Sequence, residues 1–126
     1  MSAIAIYITV PGKPVGKERP RMGKHGVYTP TKTKKFERLV YVSALERRPW
    51  GWSREGRFDI EVSCYFPDLH RRDVDNVLKS VMDGMKGVIY DDDAQVSVAK
   101  VKGMLDRERP RTEIIVRRLV AAVPQG

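Results

Sequence analysis

The chain has 126 residues, a length typical of one domain with a single sizeable hydrophobic core. Its formal net charge is +8 and its pI is near 9.8, a balance expected for a partner rich in phosphate. No stretch approaches the ~18 apolar residues of a membrane span, and the N-terminus lacks a signal-peptide pattern. The single cysteine, Cys64, excludes an internal disulfide, so the cytoplasm is the expected location.

The first element predicted is a strand over residues 3–10, which alternates with a period of two and ends at Pro11. Its apolar face carries Ile4, Ile6, Ile8 and Val10. The strand is followed by residues 11–30, where recurring proline and glycine predict little regular structure.

Positive charge is concentrated in residues 12–25, where five basic side chains stand against Glu18 alone. This segment, called the basic loop below, carries a net +4, half the net charge of the chain. Glycines allow close backbone approach and arginines hold phosphate bidentately, so the loop is a candidate DNA contact, with a merely solvated loop as the alternative. The candidate DNA-binding residues here are Lys13, Lys17, Arg19, Arg21 and Lys24.

A helix is predicted over residues 31–48, with Thr31 or Thr33 as its N-cap and Pro49 after its end. Its buried stripe is expected to be Phe36, Leu39, Val40, Ser43 and Ala44. Strict alternation then predicts a strand over residues 57–66. The buried face of that strand carries Phe58, Ile60, Val62, Cys64 and Phe66.

The most informative stretch is Arg71-Arg72-Asp73-Val74-Asp75-Asn76-Val77-Leu78-Lys79. Residues spaced i,i+2 diverge around a helix, so Asp73 and Asp75 can share a Mg²⁺ ion only if Asp73 precedes the helix or caps it. We therefore predict a helix over about residues 75–86, with Lys79 on the same face as Asp75. A cap alone would be the simpler interpretation of Asp73, but the acidic run Asp91-Asp92-Asp93 favours a metal site.

Two further strands are predicted at residues 95–104 and 112–120, which completes the order β-α-β-α-β-β. We expect an α/β protein of the α+β type, in which residues 1–126 form a single domain. Its two helices should pack on one face of a mixed four-stranded sheet.

The run R-R-D-V-D-N-x-x-K, followed by a helix and by D-D-A-Q at the start of a strand, resembles the RusA-type Holliday junction resolvases. The resemblance is strongest over residues 67–98 and looser over the basic loop. It implies functional roles for Asp73, Asp75, Lys79 and Asp93, with the three aspartates as metal ligands. The acidic run has three members here, so Asp92 competes with Asp93 as third ligand, and strand alternation would make Asp91 a helper.

The same resemblance implies a homodimer that nicks four-way junction DNA in pairs, with Mg²⁺ as cofactor and Mn²⁺ as an alternative ion. Arg71 and Arg72 are candidates for holding the scissile strand. Two other functions are compatible with the residues. The first is a non-catalytic basic DNA-binding protein whose aspartates are caps. The second is a D-x-D sugar-nucleotide transferase, against which the short chain and the missing glycine-rich nucleotide loop count.

Overall fold

A computed structural model describes residues 5–28, 30–70 and 72–119. In chain order the elements are β1 (Ala5–Pro11), β2 (Arg21–Gly23), β3 (Gly26–Tyr28), α1 (Thr31–Arg47), β4 (Arg57–Phe66), α2 (Val74–Met85), β5 (Val96–Leu105) and β6 (Arg111–Leu119). The predicted order β-α-β-α-β-β is confirmed, with the hairpin β2–β3 added. The expected strand residues 3, 4 and 120 lie outside the described residues, as does Arg71.

The four long strands form one mixed sheet in the order β1-β6-β4-β5. Strand β6 pairs antiparallel with β1 and β4, whereas β4 and β5 are parallel. Parallel neighbours need a crossover connection, and α2 supplies it. Because the chain returns along α2 before β5 begins, the start of α2 and the acidic run lie at opposite ends of this helix.

One face of the sheet carries the core, as predicted. The five alternating β4 residues from Phe58 to Phe66 are all buried. Both helices pack on that face, α1 through Phe36, Val40 and Ala44 and α2 through Val77, Val81 and Met85. The two helices therefore lie on one face of a mixed four-stranded sheet in a single α+β domain. None of the helices in the described ranges is both long and apolar enough to span a membrane.

Helix α1 begins differently from the prediction. Its N-cap is Pro30 and no side chain caps it, so neither Thr31 nor Thr33 has that role. Thr33 is buried instead, and its hydroxyl accepts the Glu18 N–H at 3.2 Å. The buried stripe runs through Thr33 and excludes Leu39, which is 37% exposed because it lies about one residue's rotation off that stripe.

Residues 21–28 form a short hairpin, although their glycines predicted no regular structure. Gly23 pairs with Gly26, and Gly26 has a φ of +109° that a residue with a side chain rarely adopts. A Cβ atom at Gly23 would lie 2.9 Å from Cε1 of Tyr28, so glycine lets the Tyr28 ring cross the neighbouring strand. The same glycines that indicated a loop therefore make the hairpin possible.

The closest approach of the two helices is at Gly84, where a Cβ atom would lie 2.7 Å from Cβ of Val40. We expect Gly84→Ala to lower the free energy of unfolding by about 1–3 kcal/mol, because overpacking outweighs the better helix propensity of alanine. Urea unfolding followed by circular dichroism measures this loss. The exposed Glu46→Ala is the control, with an expected change within about 0.5 kcal/mol. A more stable Gly84→Ala would contradict the close helix contact.

Candidate active site

Helix α2 begins at a capping carboxylate, as predicted. Asp73 is the N-cap with an extended backbone (φ −91°, ψ 98°), and its Oδ1 accepts the Asp75 N–H at 3.0 Å. The i,i+2 spacing requires this arrangement if both carboxylates are to approach one ion. Neither carboxylate forms a salt bridge with any residue that the structure describes. Both are thus available at the positive end of the helix dipole.

A cleft of about 420 Å³ opens beside the start of α2. The basic loop forms one wall and Asp73, Asn76 and Val77 form part of the other. The loop is fixed there because the Lys17 N–H donates to the Asn76 carbonyl oxygen at 2.9 Å. Packing of α1, α2 and the loop therefore brings the basic segment against the D-x-D motif.

The candidate DNA-binding residues of the loop divide into two groups. Lys13, Arg19, Arg21 and Lys24 are exposed, and Arg21 pairs with Glu18 at 3.1 Å. Lys17 instead directs its Nζ at Asp83 and at Glu37 Oε2, the latter 3.4 Å away. The hydrogen bond to Asp83 raises the pKa of Lys17. Lys17 therefore stabilises the loop from within rather than facing outward.

Arg72 is also committed to internal contacts. Its guanidinium lies 2.7 Å from Asp68 Oδ1 and 4.5 Å from the centre of the Phe66 ring. The hydrogen bond from Arg72 lowers the pKa of Asp68 to about 2. These contacts brace the segment that leads into the cap of α2.

The acidic run leads into a single 3₁₀ turn over Asp93–Gln95, and its N-cap Asp92 has the extended backbone that was predicted for the run (φ −144°, ψ 140°). The Oδ1 of Asp92 accepts the Ala94 N–H at 2.9 Å. The strand predicted from Gln95 begins one residue later, at Val96. Asp91 faces Arg54, with 2.8 Å from Oδ1 to Nε, whereas Asp93 faces Lys86.

The Gln95 side chain fastens the turn with four hydrogen bonds. Its Oε1 accepts the N–H groups of Asp91 and Asp92 at 2.8 and 2.9 Å. Its Nε2 donates to the carbonyl oxygens of Arg54 and Gly56 at 2.7 and 3.0 Å. Only a side-chain amide offers two donors and two acceptor positions at once. These bonds therefore hold the turn that carries Asp93 against the segment that precedes β4.

We expect Gln95→Glu to lower the free energy of unfolding by about 1–3 kcal/mol, because the carboxylate would face two carbonyl oxygens without a donor. Gln95→Met keeps the size without adding charge and should cost less. Urea unfolding of both variants gives the order. Equal stability of Gln95→Glu and the wild type would show that the amide donors contribute nothing.

Asp93 lies beside the C-terminal end of α2. The Nζ of Lys86, the C-cap residue, is 3.3 Å from Asp93 Oδ2 and 3.5 Å from Asp83 Oδ1. The other oxygen, Asp93 Oδ1, is buried and has no hydrogen-bond partner in the described part of the chain. A buried carboxylate oxygen without a donor is costly unless a cation or other group meets it. Asp93 therefore has one carboxylate oxygen paired with Lys86 and one without a donor among the described residues.

Helix α2 separates the predicted ligands. Asp73 and Asp75 lie at its first turn, while Asp93 contacts the residue after its last turn. The helix has 12 residues, a length of about 18 Å. Lys79 lies one turn after Asp75 and is exposed. Within residues 5–28, 30–70 and 72–119 no three His, Cys, Asp or Glu side chains are placed to hold one ion.

Four contributors to this region were not among the predicted site residues: Glu37, Asp83, Lys86 and Gln95. Asp83 could have been found from the sequence, because it continues the helix face of Asp75 and Lys79 at spacing i+4. Gln95 could have been found as well, because it belongs to the D-D-A-Q run. Glu37 had no such signal, because its contact with Lys17 depends on packing between distant segments. Lys86 had a local signal, because it lies three residues after Asp83.

Comparison with known proteins gives two matches. The sequence profile of a family described as endodeoxyribonuclease RusA matches residues 11–117. A protein of Bacillus subtilis (strain 168), described as uncharacterized protein YqaN, is 31% identical over 141 aligned residues. That alignment covers 92% of this chain and 98% of the relative. The matched region contains the basic loop, both helices and the acidic turn.

Proposed function

Because the chain belongs to the RusA endodeoxyribonuclease family, we propose that it resolves four-way DNA junctions by metal-dependent paired nicks. The observation that carries this proposal is the pair Asp73 and Asp75 at a helix start beside the cleft of the basic loop. The loop would attract the DNA backbone, and the two carboxylates would hold a cation next to it. The cytoplasm, where DNA is found, is the proposed location.

The proposed ligands are Asp73, Asp75 and Asp93, which offer the hard oxygens that suit Mg²⁺, or Mn²⁺ as an alternative ion. The Oδ1 of Asp93, which meets no donor in the described ranges, supports its place in the set. When bound, such an ion supplies a water of lowered pKa and stabilises charge on the scissile phosphate. Lys79, one turn from Asp75, would offset negative charge on the leaving oxygen.

The separation of the ligands along α2 favours a site shared between two copies of the chain. A two-fold dimer can place the start of α2 from one copy near the acidic turn of the other. Each of the two sites would then use Asp73 and Asp75 from one copy and Asp93 from its partner. Two equivalent sites suit a near-symmetric junction cut in two opposed strands.

DNA binding is assigned to the exposed basic residues of the loop together with Arg71. Binding should weaken steeply with salt, because each neutralised phosphate releases counterions. The triple variant of Lys13, Arg19 and Lys24 to glutamine should flatten the log–log salt slope by about two to three units. Lys17→Met is the matched control and should change the slope little, because Lys17 pairs with Asp83. Filter binding measures the salt slope of both variants. An unchanged slope in the triple variant would show that the loop does not contact DNA.

Incubation with a synthetic immobile junction, with and without Mg²⁺, tests the proposed function. We expect symmetric nicks in two opposed strands, with ends that a ligase can seal, only when the ion is present. Tight binding without nicking under any divalent ion would instead favour a non-catalytic DNA-binding protein. Sedimentation of the free protein tests the homodimer.

A further inference from the structure

A chain of charged contacts connects α1 to the acidic turn. Lys17 Nζ contacts Glu37 and Asp83, and Lys86 Nζ bridges Asp83 and Asp93. Three carboxylates stand against two ammonium groups, which leaves one negative charge on this corner. Lys86 is the ammonium group that contacts a proposed metal ligand, at 3.3 Å from Asp93 Oδ2.

We infer that Lys86 competes with a divalent cation for Asp93, so that it holds the carboxylate in place and at the same time weakens cation binding. The inference rests on the proposed role of Asp93 as a ligand. The contact occupies Oδ2, and the buried Oδ1 has no partner among residues 5–28, 30–70 and 72–119. A cation that Asp93 holds therefore meets the positive charge of Lys86 on the same carboxylate.

The repulsion cannot be relieved by loss of a proton. The ordinary pKa of a lysine is about 10.4, so the Lys86 ammonium is charged at neutral pH. The pair is accessible, with 43% of the Lys86 side chain and 42% of the Asp93 side chain exposed. Lys86 can therefore swing away when a cation binds, and it acts through charge rather than as a buried structural contact.

Calorimetric titration of the full chain with Mn²⁺ alone, without DNA, tests the inference. We expect Lys86→Met to bind Mn²⁺ about three- to fivefold more tightly than the wild type, the effect of one exposed charge pair. Lys86→Arg keeps the charge and should match the wild type. Lys102→Met removes an exposed lysine of β5 and should also match it. In ~1 M NaCl the gain in Mn²⁺ affinity of Lys86→Met should shrink, because the Debye length falls to ~3 Å.

Unchanged or weaker binding by Lys86→Met would overturn the inference, with Lys86→Gln as a second variant if Lys86→Met unfolds. A gain that persists in the Asp93→Asn background would also overturn it, because the competition requires this carboxylate. Wild-type Mn²⁺ affinity in Asp93→Asn itself would refute the proposed ligand role of Asp93. The two failures are therefore distinguishable.

Discussion

Replacing Asp75 by asparagine should reduce junction cleavage by on the order of 10³-fold or more while junction binding stays intact or becomes stronger. The amide removes a negatively charged ligand from the first turn of α2 and weakens cation binding. It also removes a negative charge beside the cleft that would repel DNA phosphates bound there. Single-turnover cleavage and gel-shift binding, measured on the same junction, separate the two effects.

The fold should survive this substitution, because the contact that Asp75 makes with the cap uses its backbone N–H rather than its carboxylate. A melting temperature close to that of the wild type is the control. Comparable activity of Asp75→Asn at saturating Mg²⁺ would refute the ligand role.

Asp93→Asn should lose as much activity as Asp75→Asn, and a mixed dimer of the two variants should recover one nick. In the shared-site arrangement, one site of the mixed dimer contains Asp75 from one copy and Asp93 from the other, so it is intact. The second site lacks both carboxylates. Differently tagged variants, co-expressed and purified through both tags, provide the sample, and strand-specific labelling of the junction counts the nicks.

A mixed dimer as inactive as either parent would place all three ligands within one copy. The neighbouring aspartates provide matched controls. Asp92→Asn should cost little, because asparagine caps as well as aspartate does at the Ala94 N–H. Asp91→Asn loses an exposed contact with Arg54, worth about 0–1 kcal/mol, and should also stay active. An inactive Asp92→Asn together with an active Asp93→Asn would show that the third ligand is Asp92 rather than Asp93.

The sequence by itself determined the two helices, the four long strands and most of their buried faces. Alternation from Phe58 to Phe66 has one structural solution, a strand with one buried face, because successive side chains point to opposite sides. The i,i+2 spacing of Asp73 and Asp75 likewise required a helix cap, and Asp73 is that cap. These features depend on neighbours within one turn or one strand. Local rules therefore suffice for them.

The tertiary structure decided which charged side chains contact one another. Lys17 and Arg72 were expected to contact DNA, and the structure pairs them with Asp83 and Asp68. The Lys17–Asp83 pair depends on packing between distant segments, whereas Arg72 and Asp68 are four residues apart. The anchoring of the 3₁₀ turn could not be read from the sequence either. Gln95 donates to the carbonyl oxygens of Arg54 and Gly56, which belong to a distant segment of the chain. The separation of Asp93 from Asp73 followed from topology. A helix that crosses between parallel strands has to return along the sheet, so the two ends of α2 carry different carboxylates.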